Sequence, residues 1–237
     1  FAICANAQDV KSGHIGLPAP GIELKLVPSG DKVEVRYRGP NVTPGYWRAP
    51  KQTAESFDAE GFYCSGDAVK AIDAARPGRG FMFDGRIAED FKLATGTFVS
   101  VGPLRAKVIA AGDPCVQDVV VTGVDRNEIG LLIFPRLDKC RALGGIGAEA
   151  PAAEVVAAPA VREFFARLID GLWASGTGSA TRVARALLLV EPPSIDLGEV
   201  TDKGSINQHA VLTHREPLVT ALYAGVEDVI FPRSPPQ

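Results

Sequence analysis

Val116-Gln117-Asp118-Val119-Val120-Val121-Thr122-Gly123-Val124-Asp125-Arg126-Asn127-Glu128-Ile129-Gly130-Leu131-Leu132-Ile133-Phe134-Pro135 holds two strongly apolar runs, Val116 to Val124 and Ile129 to Pro135, around the polar turn Asp125-Arg126-Asn127. The pattern predicts a paired, buried strand unit. Its cover comes from downstream, where Val161, Phe164, Phe165, Leu168, Ile169 and Leu172 recur at three- and four-residue spacing and so share one face of a helix. Ala184 to Val190 adds an apolar strand stopped by Pro192-Pro193, and Asn207 to Tyr223 reads as a helical region interrupted or bent at Pro217. A helix-like stretch, Leu104 to Ala111, precedes the strand pair. Gly144 to Ala160 is rich in Gly, Ala and Pro and is expected to be a surface connection plus the approach to the long helix, with Arg233 to Gln237 a frayed Pro-rich tail. This second part is therefore expected to be α/β, a small sheet flanked by helices.

The first third differs. Short alternating segments, Ile22 to Val27, Val33 to Arg38 and Phe81 to Asp84, are separated by turns such as Pro28-Ser29-Gly30-Asp31 and Arg76-Pro77-Gly78, which predicts a β-rich subdomain. Phe91 to Ala94 and Thr97 to Val101, joined at Thr95-Gly96, read as a hairpin.

The 237 residues, 46% hydrophobic, suffice for one large domain or two small ones. A net charge of -3 with both signs interspersed provides no basic stripe for a phosphate backbone, so a nucleic-acid partner is not expected. No apolar run reaches the length of a membrane span, and Phe1-Ala2-Ile3-Cys4 is no leader, so a soluble cytoplasmic protein is expected. Cys4, Cys64, Cys115 and Cys140 are scattered, and His14, His209 and His214 are too few and too dispersed for a ligand set, so no metal ligand is assigned. No Gly-x-Ser-x-Gly elbow supports a hydrolase. A start at Phe1, with Met82 the only methionine, leads us to expect a piece of a longer protein.

Four segments carry chemistry: Glu34 to Trp47, a strand entering a Gly/Pro turn; Gly61-Phe62-Tyr63-Cys64-Ser65-Gly66-Asp67, a carboxylate behind a glycine where a strand end could present it; Phe83-Asp84-Gly85-Arg86-Ile87; and Gly198-Glu199-Val200-Thr201-Asp202-Lys203-Gly204, a lysine in a glycine-flanked loop before a helix. Singly, they are also compatible with a structural turn, an exposed aspartate, a surface ion pair and a solvated lysine.

As an ordered set, these segments resemble the acyl-adenylate-forming superfamily, which includes acyl- and aryl-CoA ligases, luciferases and the adenylation domains of peptide synthetases. Gly85 to Arg105 and Thr201 to Gln208 are most similar to feruloyl-CoA synthases. The resemblance implies the β-rich C-terminal end of a large adenylating domain over 1–87, followed by a small mobile α/β lid domain over 88–237. It implies that a carboxylic acid such as ferulate and MgATP yield acyl-AMP and pyrophosphate, and that the thiol of coenzyme A then displaces AMP to leave a thioester. Asp67 would accept hydrogen bonds from both ribose hydroxyls, which suits a carboxylate, and Arg86 would also reach the ribose. Lys203 would meet the acid and the α-phosphate, where two unit charges ~4 Å apart at an effective dielectric of ~20 interact by ~4 kcal/mol. The Phe91 to Val101 hairpin, with Lys92 and Gly96, would line the coenzyme A channel, although Gly96 is equally compatible with a plain hairpin glycine. The hinge position falls on Ala88, beside Glu89, where relatives carry Asp or Lys.

No stretch resembles the superfamily's phosphate loop ending in Pro-Lys-Gly; Ser175-Gly176-Thr177-Gly178-Ser179 lacks its lysine and reads as a flexible link. The chain alone is therefore expected to be inactive. Two rival readings remain at this point: a non-catalytic module that binds a nucleotide or a partner, and an adenylation domain serving a carrier protein.

Overall fold

The computed structural model describes residues 2–4, 10–11, 13–201 and 203–233; the expected frayed end at 234–237 lies outside the described residues, as does Asp202. The chain divides into two compact units, Phe1–Asp90 and Phe91–Gln237.

The first unit is built on one antiparallel sheet. Its strands are β1 (Ile3–Cys4), β2 (His14–Pro18), β3 (Glu23–Ser29), β4 (Lys32–Arg38), β5 (Tyr63–Ala71) and β6 (Phe81–Arg86), in the order β1-β2-β6-β5-β4-β3, with a short helix, α1 (Pro50–Glu55), between β4 and β5. β3 and β4 form a hairpin in register from Glu23 opposite Arg38 to Ser29 opposite Lys32. β5 is an interior strand nine residues long, and Asp67 sits in its middle rather than beyond its end. Ser65-Gly66-Asp67 breaks the apolar alternation, which hid this strand in the sequence. The apolar core is small, with Val35, Phe62, Ala68 and Val69 buried, and charges tie the remainder together. Asp58 accepts from Lys25 at 3.0 Å and Arg36 at 3.1 Å, and the buried Lys32 ammonium meets the Asp90 carboxylate at 2.5 Å.

The second unit opens with the hairpin β7 (Phe91–Lys92) and β8 (Phe98–Val99), then α2 (Val101–Ala111), β9 (Val116–Thr122), β10 (Ile129–Pro135), α3 (Leu137–Gly144), α4 (Ala152–Ala157), α5 (Pro159–Ala174), β11 (Val183–Leu188), α6 (Gln208–His214) and α7 (Glu216–Ala224). β9 and β10 pair antiparallel, and β11 lies parallel on the other side of β10. Every residue of β10 is buried because helices cover both faces. Val119, Val121, Leu131 and Ile133 join a core with Leu104, Val108, Phe165 and Ile169, whereas Val120, Leu132 and Phe134 join Ile206, Val211 and Leu222. The strict alternation follows from the two-residue strand period, and each large apolar side chain so buried contributes ~1.5–3 kcal/mol.

Several boundaries differ from expectation. The hairpin strands are two residues each, and Val101 begins α2, three residues before Leu104, instead of closing a strand. The first apolar run ends as a strand at Thr122, and β11 spans Val183–Leu188. The 207–223 region breaks at Arg215, with Pro217 in the first turn of α7, where a missing N–H forfeits no helical bond. Gly144 to Ala160 is no simple surface connection, since α4 lies within it and Val155 is fully buried. Ser175 to Ser179 is tied down rather than loose: Thr177 N–H donates to Thr181 Oγ1 at 3.0 Å, and Ser179 Oγ lies 3.2 Å from Thr97 Oγ1 of the hairpin turn. Of the six residues expected on one helix face, five are buried in α5, and Phe164 is half-buried against the same core.

Candidate functional site

The backbone that presents Asp67 is shaped by Gly66, whose φ of 68° is a left-handed value that L side chains rarely adopt. The β4–β5 and β5–β6 registers both shift here, between Glu34 and Arg36 and between Asp67 and Val69. The irregularity is held in place. Buried Glu34 accepts Gly66 N–H at 3.1 Å while also taking Arg36 Nε at 2.9 Å, Asp67 N–H donates to Ser65 Oγ at 3.1 Å, and Ser65 Oγ donates to Val35 O. Asp67 and Arg86 become cross-strand partners, with Arg86 Nε 3.0 Å from Asp67 Oδ1 and side-chain exposures of 57% for Arg86 and 29% for Asp67. The carboxylate is thus held beside a cation and partly open to solvent, with Oδ1 itself buried.

Two tyrosines flank it. Tyr37 and Tyr63 are opposite one another on β4 and β5. Burial first, and the Asp67 charge second, push the Tyr37 phenol up to about 12, so it stays neutral at physiological pH. Tyr63 is also raised, chiefly by its hydrogen bond with Tyr46, whose hydroxyl lies 3.1 Å away. That contact anchors the Gly/Pro turn, whose Tyr46 N–H donates to Thr53 Oγ1 of α1 at 2.9 Å.

Ala88 and Glu89 lie in a short 3-10 turn, Ile87–Glu89, directly after Arg86, with Ala88 exposed. Asp90, next in the chain, is anchored by Lys32. In the second unit, Lys92 is exposed on β7, and Gly96 turns the hairpin at a φ of 81° with open space where a Cβ would point. The hairpin is held at both ends: beside the turn Ala94 N–H donates to Arg126 O at 2.8 Å, and at the base a Cβ on Gly123 would meet the Phe91 ring at 2.8 Å.

Lys203 is exposed at the tip of a tight loop. Thr201 N–H donates to Ser205 O and Gly204 N–H to Thr201 O, each at 2.8 Å, and Val200 bridges Ile206 below. The loop runs directly into α6, which Asn207 caps through Ala210 N–H at 3.3 Å. Just before it, Glu199 is 1% exposed and accepts Arg215 Nε at 2.9 Å and Arg215 Nη2 at 2.7 Å. Arg215, chiefly, holds that carboxyl below the usual glutamate range.

The fold therefore joins Asp67 to Arg86 within the first unit and places Lys92, Gly96 and Lys203 on the second. Glu34, Tyr37, Tyr63 and the Glu199–Arg215 pair escaped the sequence reading. The only sequence signals for them were charges at strand positions and a glutamate four residues before the lysine, neither distinctive. Among the described residues, no group of three or more His, Cys, Asp or Glu could hold a metal ion, all four cysteines are free, and no helix is long and apolar enough to cross a membrane.

Comparison with known proteins connects this arrangement to a family. A long-chain-fatty-acid–[acyl-carrier-protein] ligase of Arabidopsis thaliana is 25% identical over 94% of this chain and 31% of its own length. A long-chain-fatty-acid–CoA ligase of Mycobacterium tuberculosis is 34% identical over 53% of this chain and 19% of its own. The chain thus spans about a third or less of the curated relatives it matches. The A domain of a carboxylic acid reductase from Segniliparus rugosus, solved in complex with AMP and a co-purified carboxylic acid, shares the fold with a TM-score of 0.64 at 23% identity, over 89% of this chain and 33% of that one. Residues 91–227, the span from the hairpin to just past α7, match the AMP-binding enzyme C-terminal domain, and the chain belongs to that family.

Proposed function

We propose that the chain is the C-terminal part of an ATP-dependent, AMP-forming acid–CoA ligase, with residues 88–237 as a lid that pivots about Ala88 and Glu89. The observation that carries the reading is the Asp67–Arg86 pair: an acceptor-only carboxylate, oriented by a guanidinium and partly open, fits the vicinal hydroxyls of the ATP ribose. Lys203, on its exposed tip, supplies a compact cation where the acid's carboxylate approaches the α-phosphate, a charge arrangement that develops during adenylation. The hairpin bearing Lys92 and Gly96 then guides the thiol of coenzyme A to the acyl-adenylate. The lid would exchange the two faces by a hinge movement, which in many enzymes limits turnover. Mg2+ would enter with the phosphates as MgATP.

For the acid, the likeness of 85–105 and 201–208 to feruloyl-CoA synthases favours a hydroxycinnamate such as ferulate. A second acceptor is favoured by one observation: the Arabidopsis thaliana relative aligned over 94% of this chain is named for ligation to an acyl carrier protein. Pyrophosphate exchange with ferulate, palmitate and other acids, run on this chain and on a longer polypeptide carrying a phosphate loop, tests the reading. Acid-dependent exchange is expected only from the longer polypeptide, followed by thioester formation with coenzyme A. Exchange absent with every acid in the longer form, or capture by a carrier thiol to the exclusion of coenzyme A, contradicts it.

A further inference from the structure

We propose that the buried Glu199–Arg215 pair is a positioning device for Lys203, fixing the root of its loop so that the ammonium is presented in one direction during acid activation. The inference rests on the role given above to Lys203.

Glu199 lies at the base of a narrow ladder whose tip is Lys203. Its own carbonyl accepts Asn207 N–H at 2.9 Å, so the first rung above the ion pair already joins the two arms of the loop. Val200 bridges Ile206 next, then Thr201 N–H reaches Ser205 O at 2.8 Å. Each rung fixes the one above, and the direction of the tip is set at Glu199.

The base is triply tied. The Glu199 carboxylate takes both Arg215 nitrogens and also Ser194 N–H at 2.7 Å. Arg215 spends two further donors on the carbonyls of Glu191 at 3.0 Å and Pro192 at 2.7 Å, and its guanidinium lies 5.1 Å from the centre of the Phe134 ring. One side chain thereby connects the segment after β11, the start of the lysine loop and the junction of α6 with α7. Phe134 belongs to fully buried β10, so the platform beneath is a close-packed strand of the core.

Stability alone does not account for an ion pair here. Taking two charges out of water costs about as much as their attraction returns, and apolar residues of similar volume would serve a core equally well. What apolar residues cannot supply is direction: a planar fork meeting a carboxylate in two parallel bonds permits one orientation. A loop whose lysine must meet two anions at once needs that directionality, because misplacement by ~1 Å can cost a rate ~10²-fold.

The test uses the complete enzyme that contains this chain, with whichever of ferulate and palmitate it activates faster. Both half-reactions are measured separately, pyrophosphate exchange for adenylation and conversion of a supplied acyl-adenylate to thioester for capture. Glu199→Gln is expected to slow exchange ~10-fold or more while capture stays within about twofold. In combination with Lys203→Ala it should add nothing, since a residue that acts through Lys203 has no effect once the ammonium is gone. Arg215→Lys keeps the charge but removes the fork, and it should reproduce the selective loss if Glu199→Gln does not fold. Unchanged exchange in Glu199→Gln, equal losses in both half-reactions, or full multiplication of its effect with that of Lys203→Ala overturns the inference while leaving Lys203 in place. A Lys203→Ala enzyme that loses no exchange overturns the reading of Lys203 itself.

Discussion

Arg86 reaches Asp67 across the β5–β6 pair at 3.0 Å, beside left-handed Gly66 and the register shift between Asp67 and Val69. Position and charge can be separated by mutation. Asp67→Asn keeps the shape but leaves one acceptor oxygen where there were two, and should raise the ATP concentration needed for half-maximal exchange ~10-fold or more, the worth of a lost charge-assisted bond. Gly66→Ala should move the same quantity in the same direction through backbone strain. An unchanged ATP dependence in both variants would remove Asp67 from the nucleotide site.

Gly96 offers a test of the hairpin. Its φ of 81° strains any L side chain, although beyond its chain neighbours no atom lies within 4 Å of the place a methyl group would take. Gly96→Ala should therefore cost ~1–2 kcal/mol of stability in the chain and, in the complete enzyme, slow thioester formation more than exchange. Denaturation curves and the two half-reaction rates read these effects independently.

The Lys32–Asp90 pair closes the first unit with side-chain exposures of 4% and 1%. Lys32 Nζ also donates to Asp84 O, so one ammonium ties β4 to β6 and to the residue after the 3-10 turn. Lys32→Met should lower stability by ~3–5 kcal/mol, because it removes the cation that meets a buried carboxylate, whereas replacing both members with apolar residues should recover most of the loss. Urea unfolding of the three proteins provides the comparison.

Acid should loosen the second unit at Glu199. The folded-state pKa of this group is depressed, first by its Arg215 hydrogen bonds, so its contribution is complete above the unfolded glutamate range and is lost as pH falls through the lower folded value. Thermal midpoints of the chain should decline below about pH 5, and Glu199→Gln should decline less steeply over the same interval. Parallel curves for the two proteins would mean that Glu199 carries none of the acid sensitivity.

How much of this was legible beforehand depends on which force decides each element. β10 was readable to the residue, since Ile129 to Pro135 is apolar throughout and a doubly covered strand needs little else. The α5 face was readable from spacing for the same reason. β5 was not, because Ser65-Gly66-Asp67 obeys the needs of a carboxylate presentation rather than those of alternation. The helix at 152–157 was hidden by the Gly and Pro around it, which signal a loop locally, whereas buried Val155 holds its turn through tertiary packing; the helix at 137–144 buries only Cys140, too little to mark an apolar face. Asp67, Arg86 and Lys203 stood out as parts of an ordered set. Their supports did not, since Glu34 lies 32 residues before Gly66 and Arg215 lies 16 after Glu199, distances that no local pattern spans.

The most direct test of the account is Lys203→Ala in the complete enzyme, with both half-reactions followed on the same preparation. The account predicts that exchange falls ~10²-fold or more while capture of a supplied acyl-adenylate by coenzyme A proceeds at close to the original rate. Equal loss in both, or retention of exchange, would contradict it.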